Sequence, residues 1–290
     1  MGSARMRSTA RNPIYMSHLK RVFPSADEKT LLGILREHWR KHERNNISLF
    51  FMKRITREKL DDLVEWRGRN LLEQALGRGK GLLLLAPHYG DERSLHILLG
   101  MAGYSVGVMT SRYSNMPPPV RRMKLECGNR WNELHFPGDS PRWMFDTLLK
   151  GDVVHFAPTA YGGPSGTWVG SFGVPVLAPS SPWKLHARTG CSLVLGFNTQ
   201  LPGMRFRMEL QEIPRCDNRQ ELIQKVFDLT ERKARECPGQ YDWDNLLIRH
   251  RESNTIARLG KIPENEVELE TAAEPDDLKP NLIPEMKTLL

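Results

Sequence analysis

His88 is followed within four residues by two acids, Asp91 and Glu92, in the run Pro87-His88-Tyr89-Gly90-Asp91-Glu92-Arg93. An imidazole with a nearby carboxylate is the smallest kit that deprotonates a hydroxyl. The ring nitrogen takes the proton, and the acid fixes the tautomer and stabilises the imidazolium. If the chain is helical from His88, Glu92 at i+4 lies about 40° round on the same face, and Asp91 at i+3 is also within reach. Acids near a helix start also serve as simple caps, so spacing alone does not choose between chemistry and capping.

The elements around this run bear on that choice. Gly81-Leu82-Leu83-Leu84-Leu85-Ala86 is a continuous apolar segment of strand length that ends at Pro87-His88, and a helix is expected over 91–102. In open α/β sheets, ligands gather where the carboxyl ends of strands meet helix N-termini. Further strands are expected over 105–110, 153–157, 192–197 and 205–210, with helices over 56–76, 143–150, 183–189 and 219–237. Ser25-Ala26-Asp27-Glu28 reads as a capping box opening a long helix with Leu31, Leu35, Trp39 and His42 at helical spacing. That helix packs on the core or lies at a lipid interface. Pro117-Pro118-Pro119 breaks the chain before a basic helix carrying Arg121, Arg122 and Lys124, and 161–168 is a glycine-rich loop. Strands alternating with helices predict an α/β fold around a mainly parallel sheet flanked by helices.

Charge narrows the partners. Lys and Arg outnumber Asp and Glu by 42 to 34, for a net +8. Residues 261–290 hold eight acids against three lysines, so this tail carries −5 and the remainder +13. A body that basic expects an anionic partner such as a phospholipid surface or a phosphorylated carrier. The acidic tail has the composition of a solvated, flexible segment. Three divisions are expected: a basic segment 1–13, a domain 14–252 and a tail 253–290. Nucleic acid is not expected, because no helix-turn-helix, finger or aromatic RNA-binding signature accompanies the charge. Cys127, Cys191, Cys216 and Cys237 are widely spread and have no C-x-x-C pair, which points to reduced thiols rather than zinc. No run reaches the roughly 18–20 apolar residues needed to span a bilayer. A G-x-S-x-G elbow, a dinucleotide loop and a Walker loop are absent. His96 and His155 are expected in the core.

Several segments, in order, resemble the lipid A late acyltransferases (lauroyl/myristoyl transferases). They are Val22-Phe23-Pro24, 79–90 with His88, 149–158, Phe172-Gly173-Val174-Pro175, 185–191 and Pro238-Gly239-Gln240-Tyr241-Asp242-Trp243. The likeness spans roughly residues 14–250. It implies a mixed, glycerolipid acyltransferase-like sheet flanked by helices, including N-terminal ones. The implied reaction passes a fatty acyl group from acyl carrier protein or a CoA thioester to a lipid hydroxyl, with no metal or organic cofactor.

Carried over, the resemblance makes His88 the general base. It makes Arg112, within Ser111-Arg112-Tyr113-Ser114-Asn115, a contact for a phosphate or acceptor headgroup, with Arg121 and Arg122 nearby. The family's acid falls where this chain has Arg93, which leaves Glu92 or Asp91 as the partner. The family's Asp-Gln or Asp-His pair is replaced by Thr159-Ala160. The expectation is therefore an acyltransferase at an anionic membrane surface, peripheral on the cytoplasmic face. The alternative is a catalytically silent lipid- or carrier-binding protein on the same scaffold.

Overall fold

A computed structural model describes residues 13–110, 118–160, 162, 163, 165–246 and 254. The described residues open with two helices, α1 (Pro13–Val22) and α2 (Glu28–Met52). Leu31, Leu35 and Met52 of α2 are buried, so it packs on the core. Ile47, Phe50 and Phe51, at i, i+3 and i+4, nevertheless stay about half exposed (50%, 54% and 50%). The helix does not start with the expected capping box. Asp27 caps it instead, its Oδ1 accepting from Thr30 N at 2.8 Å.

The segment read as one helix over 56–76 is broken. A single turn, Arg57–Lys59, leads into α3 (Leu60–Leu63), then β1 (Val64–Arg67) and α4 (Arg69–Gly77). Val64 and Trp66 are good strand formers, and β1 gains hydrogen bonds by pairing in parallel with the later strand Arg205–Glu212, Val64 opposite Phe206. Gly68 permits the reversal. Its φ is +81°, and a Cβ there would lie 2.3 Å from the Leu210 carbonyl oxygen.

From there the chain alternates as expected: β2 (Leu82–Leu85), α5 (Glu92–Met101), β3 (Val106–Met109), α6 (Pro118–Asn129), β4 (Glu133–His135), α7 (Arg142–Leu149) and β5 (Val153–Phe156). Part of the expected loop over 161–168, with the residues after it, forms a hairpin of β6 (Thr167–Ser171) and β7 (Val174–Ala178). Next come α8 (Ser181–Thr189), β8 (Ser192–Leu201), β9 (Arg205–Glu212) and α9 (Arg219–Glu236).

The main sheet has the order β1-β9-β8-β2-β5-β3-β4. Its pairings are parallel except β8 with β9. Leu83 and Leu85 of β2 face one core and Leu82 and Leu84 the other, which is why the strand is apolar throughout rather than alternating. The chain leaves β2 toward β3 on one side and later returns as β8 on the other. The carboxyl end of β2 is therefore a topological switch point, flanked by the ends of β5 and β8.

Candidate active site

His88 stands at that switch point, half-buried, three residues beyond β2. The backbone around it is latched on two sides. Gly90 N–H donates to the Gln240 carbonyl at 2.7 Å, and Asp242 N–H donates to the His88 carbonyl at 3.0 Å. Tyr89 thereby pairs with Tyr241 in a short antiparallel bridge. On the other side Asp91 N–H donates to the Asn198 carbonyl of β8 at 2.8 Å, and Asn198 Nδ2 donates to the Asp91 carbonyl at 2.7 Å. Asn45 of α2 donates to the Gly90 carbonyl at 2.8 Å. Position 90 must be glycine. Its φ is +62°, and a Cβ would sit 1.9 Å from the Asn198 carbonyl oxygen.

The imidazole has a partner other than the expected carboxylate. Its Nδ1 lies 2.8 Å from Thr159 Oγ1, and the same hydroxyl oxygen accepts the His88 backbone N–H at 3.0 Å. Thr159 is fully buried just beyond β5. A hydroxyl oxygen has two acceptor sites, so it can take both the backbone N–H and an Nδ1–H. In that tautomer Nε2 keeps its lone pair, the state a general base needs. His155 lies close enough to feel the charge of His88. Burial holds its pKa down at about 4, with His88 adding to the effect. Asp242 also feels His88. Burial pushes its carboxyl pKa up, but Lys41, His42, His38 and His88 together outweigh this and hold it well below the usual range.

The two acids read from the sequence have separate surroundings. Asp91 is fully buried and caps α5. Its Oδ1 accepts from Ser94 N at 3.3 Å, and its Oδ2 accepts from Ser94 Oγ and, at 2.8 Å, from Ser48 Oγ of α2. Burial raises its pKa, against the pull of those hydroxyls. Glu92 opens the helix, its carboxylate 3.6 Å from Arg93 Nε.

Of the basic residues, Arg112 lies outside the described residues. Arg121 is half-buried and Arg122 exposed on α6. Their neighbour Lys124 is the cation that turns inward. It is 5% exposed, and burial pushes its pKa down to about 7, Arg93 adding to the shift and Asp91 and Glu92 opposing it. His96 and His155 are buried as expected, their rings 5.3 Å apart.

Sequence reasoning treated Thr159 as the mark of a lost acid, whereas the structure makes it the ring's partner. It also set Asp242 and Lys124 aside. The closing Gln-Tyr-Asp-Trp segment and the His88 run had both been singled out, and their pairing is what the order of motifs alone could have suggested. The arrangement gathers segments from residue 45 to residue 242 around one histidine at the carboxyl end of a central strand. No curated protein is matched by this chain. The family model described as bacterial lipid A biosynthesis acyltransferase matches residues 2–247, and the chain belongs to that family.

Proposed function

We propose that the protein transfers a fatty acyl group from an acyl carrier protein or CoA thioester to a hydroxyl, or an amine, of a lipid or glycolipid, with His88 as general base. Membership of an acyltransferase family supports the reaction class. The observation that carries the assignment to His88 is its Nδ1 contact with Thr159 at the switch point, which fits the tautomer whose Nε2 has the basic lone pair. Nε2 removes the acceptor O–H proton as the oxygen attacks the thioester carbonyl. The C–O bond forms, the C–S bond breaks, and the leaving thiolate takes the proton back from the imidazolium. Asp91 acts on the ring through the turn it caps, and Glu92, at the start of the same helix, is the acid nearest to hand for orienting it. Arg112, Arg121 and Arg122 supply positive charge for a phosphorylated headgroup or the carrier.

The exposed Ile47, Phe50 and Phe51 face of α2 and the +13 body support peripheral docking on an anionic membrane, at the cytoplasmic face. No described helix is long and apolar enough to cross one. The test is transfer of a radiolabelled acyl chain from acyl carrier protein to lipid acceptors in anionic vesicles. His88→Ala is expected to lower the rate by about 10²–10⁴-fold while the protein stays folded. An undiminished rate in that variant defeats the assignment.

One observation favours a catalytically silent binder instead: a neutral hydroxyl, not a carboxylate, holds the ring. A wild-type protein that binds acyl carrier thioesters yet releases no thiol would establish that reading.

A further inference from the structure

A second cluster of titratable side chains lies behind the His88 turn. His38 and His42 sit one helical turn apart on α2, and Asp242 and Asp244 alternate along the closing segment. One ligand atom from each lies within 4.8 Å of all the others. His38 is fully buried. Its Nδ1 lies 3.0 Å from the Tyr241 carbonyl, an acceptor only, so Nδ1 carries the proton and donates. In the neutral ring Nε2 is then a bare lone pair facing Asp244 Oδ2 at 3.7 Å. That is too long for a hydrogen bond and unfavourable for two electron-rich atoms. His42 Nε2 stands 4.0 Å from both Asp242 Oδ1 and Asp244 Oδ2. Both imidazole Nε2 atoms are buried and have no hydrogen-bond partner.

We infer that His38, His42, Asp242 and Asp244 form a binding site for one divalent first-row transition ion, of the zinc type. Metal-bound histidines characteristically donate their other ring N–H to a carbonyl or carboxylate, as His38 does to Tyr241. The hydroxyl of Tyr15 orients Asp244 by donating to Oδ1, leaving Oδ2 toward the imidazoles. Bonds of 2.0–2.2 Å in a tetrahedron place donor atoms about 3.4 Å apart. The separations of 3.7 and 4.0 Å therefore need to close by about 0.3–0.6 Å, and the widest, up to 4.8 Å, by roughly 1 Å or more, within reach of side-chain rotation. Two imidazole nitrogens with two carboxylate oxygens suit zinc and its neighbours better than calcium or copper(I). Lys41 is buried nearby and its charge acts on Asp242. Two carboxylates against that single ammonium still leave one net negative charge to attract a cation. The cysteine pattern gave no hint of this site, because its ligands are imidazoles and carboxylates from opposite ends of the domain.

The site's role is structural. It ties α2 to the segment whose Asp242 N–H holds the His88 carbonyl. It does not depend on the chemistry proposed for His88, and its test reads binding rather than turnover. The full chain, stripped with a chelator, is titrated with Zn²⁺ against a chromophoric competitor. Its thermal midpoint is followed in parallel, and Co²⁺ substitution reports the donor atoms. One ion per chain is expected, with a midpoint that rises on binding. The Co²⁺ spectrum should be tetrahedral without a thiolate charge-transfer band. His42→Gln and Asp244→Asn, both at half-buried positions, should each weaken binding at least tenfold and abolish the midpoint rise. No stoichiometric binding, a thiolate spectrum, or unchanged affinity in both folded variants overturns the site.

Discussion

Asp91 and Asp242 lie on the two sides of one short backbone pairing, the turn carrying His88 and the segment that latches it, and the protein uses them oppositely. Asp91 is three residues from His88. It is sealed from water, receives hydroxyl and amide donors, and is pushed toward its neutral form by burial. Asp242 is distant in sequence, and Lys41 above all, with smaller pulls from its histidine neighbours, outweighs burial and holds its pKa below the usual range. The acid nearest along the chain builds the turn, while the acid from the far end supplies the negative charge. Sequence proximity says which acid is available to a histidine, and the donors and charges around each acid decide what it does.

Four measurements break or sharpen that contrast. Gly90→Ala strikes the pairing both acids rely on. Left-handed φ plus a Cβ at 1.9 Å from a carbonyl oxygen should lower stability by about 3 kcal/mol or more, seen as a fall in denaturant midpoint. Asp91→Ala removes a cap and the acceptor of the buried Ser94 hydroxyl, while Ser48 keeps the Asn45 carbonyl. It should cost about 2 kcal/mol, whereas Asp91→Asn, an equally good cap that buries no charge, should cost under half of that. If Asp91→Asn instead removed acyl transfer with stability intact, Asp91 would be a chemical acid and the contrast would fail.

Thr159→Val should reduce kcat about tenfold, roughly 1.4 kcal/mol, by freeing the His88 ring. Thr159→Ser should restore most of the loss, and the limb of the pH–rate profile that reports His88 should shift in the valine variant only. The smallest effect is expected in the acid range, measured in chelator so that no ion contributes. Asp242 has a depressed folded pKa, so its stabilisation is present above the ordinary carboxylate value near 3.9 and is lost as the pH falls through the lower folded value. Asp242→Asn should flatten that part of the stability curve by on the order of 1 kcal/mol. Asp91 works the other way, since a raised pKa makes its ionisation unfavourable as the pH climbs past 3.9.

What could be read before folding was local. The apolar run of β2, the histidine at its exit and the helix beyond it are consecutive in sequence, and the observed β2, His88 and α5 follow that reading closely. The misread stretch over 56–76 shows the limit. It was expected as one helix, but pairing with β9, some 140 residues later, decided the matter, with Gly68 as the hinge. The β6–β7 hairpin was hidden in the same way behind a glycine-rich composition. At the candidate site, His88 and the closing Gln-Tyr-Asp-Trp segment were each visible, yet their mutual hydrogen bonds were not. Thr159 looked like a deficit because its contribution depends on a ring seventy-one positions away. The His38 and His42 spacing was available as two imidazoles one helical turn apart. It gains meaning only beside two aspartates that arrive after every strand.

The latch at Gln240 and Asp242 also dictates when the turn carrying His88 is complete. A nascent chain that has released everything up to Glu236 possesses every strand of the sheet, but the amide of Gly90 and the carbonyl of His88 still face water without their partners. Ribosomal synthesis must therefore deliver the stretch beyond Pro238 before the histidine turn is held on both sides, so the candidate site is completed only after the last strand has emerged.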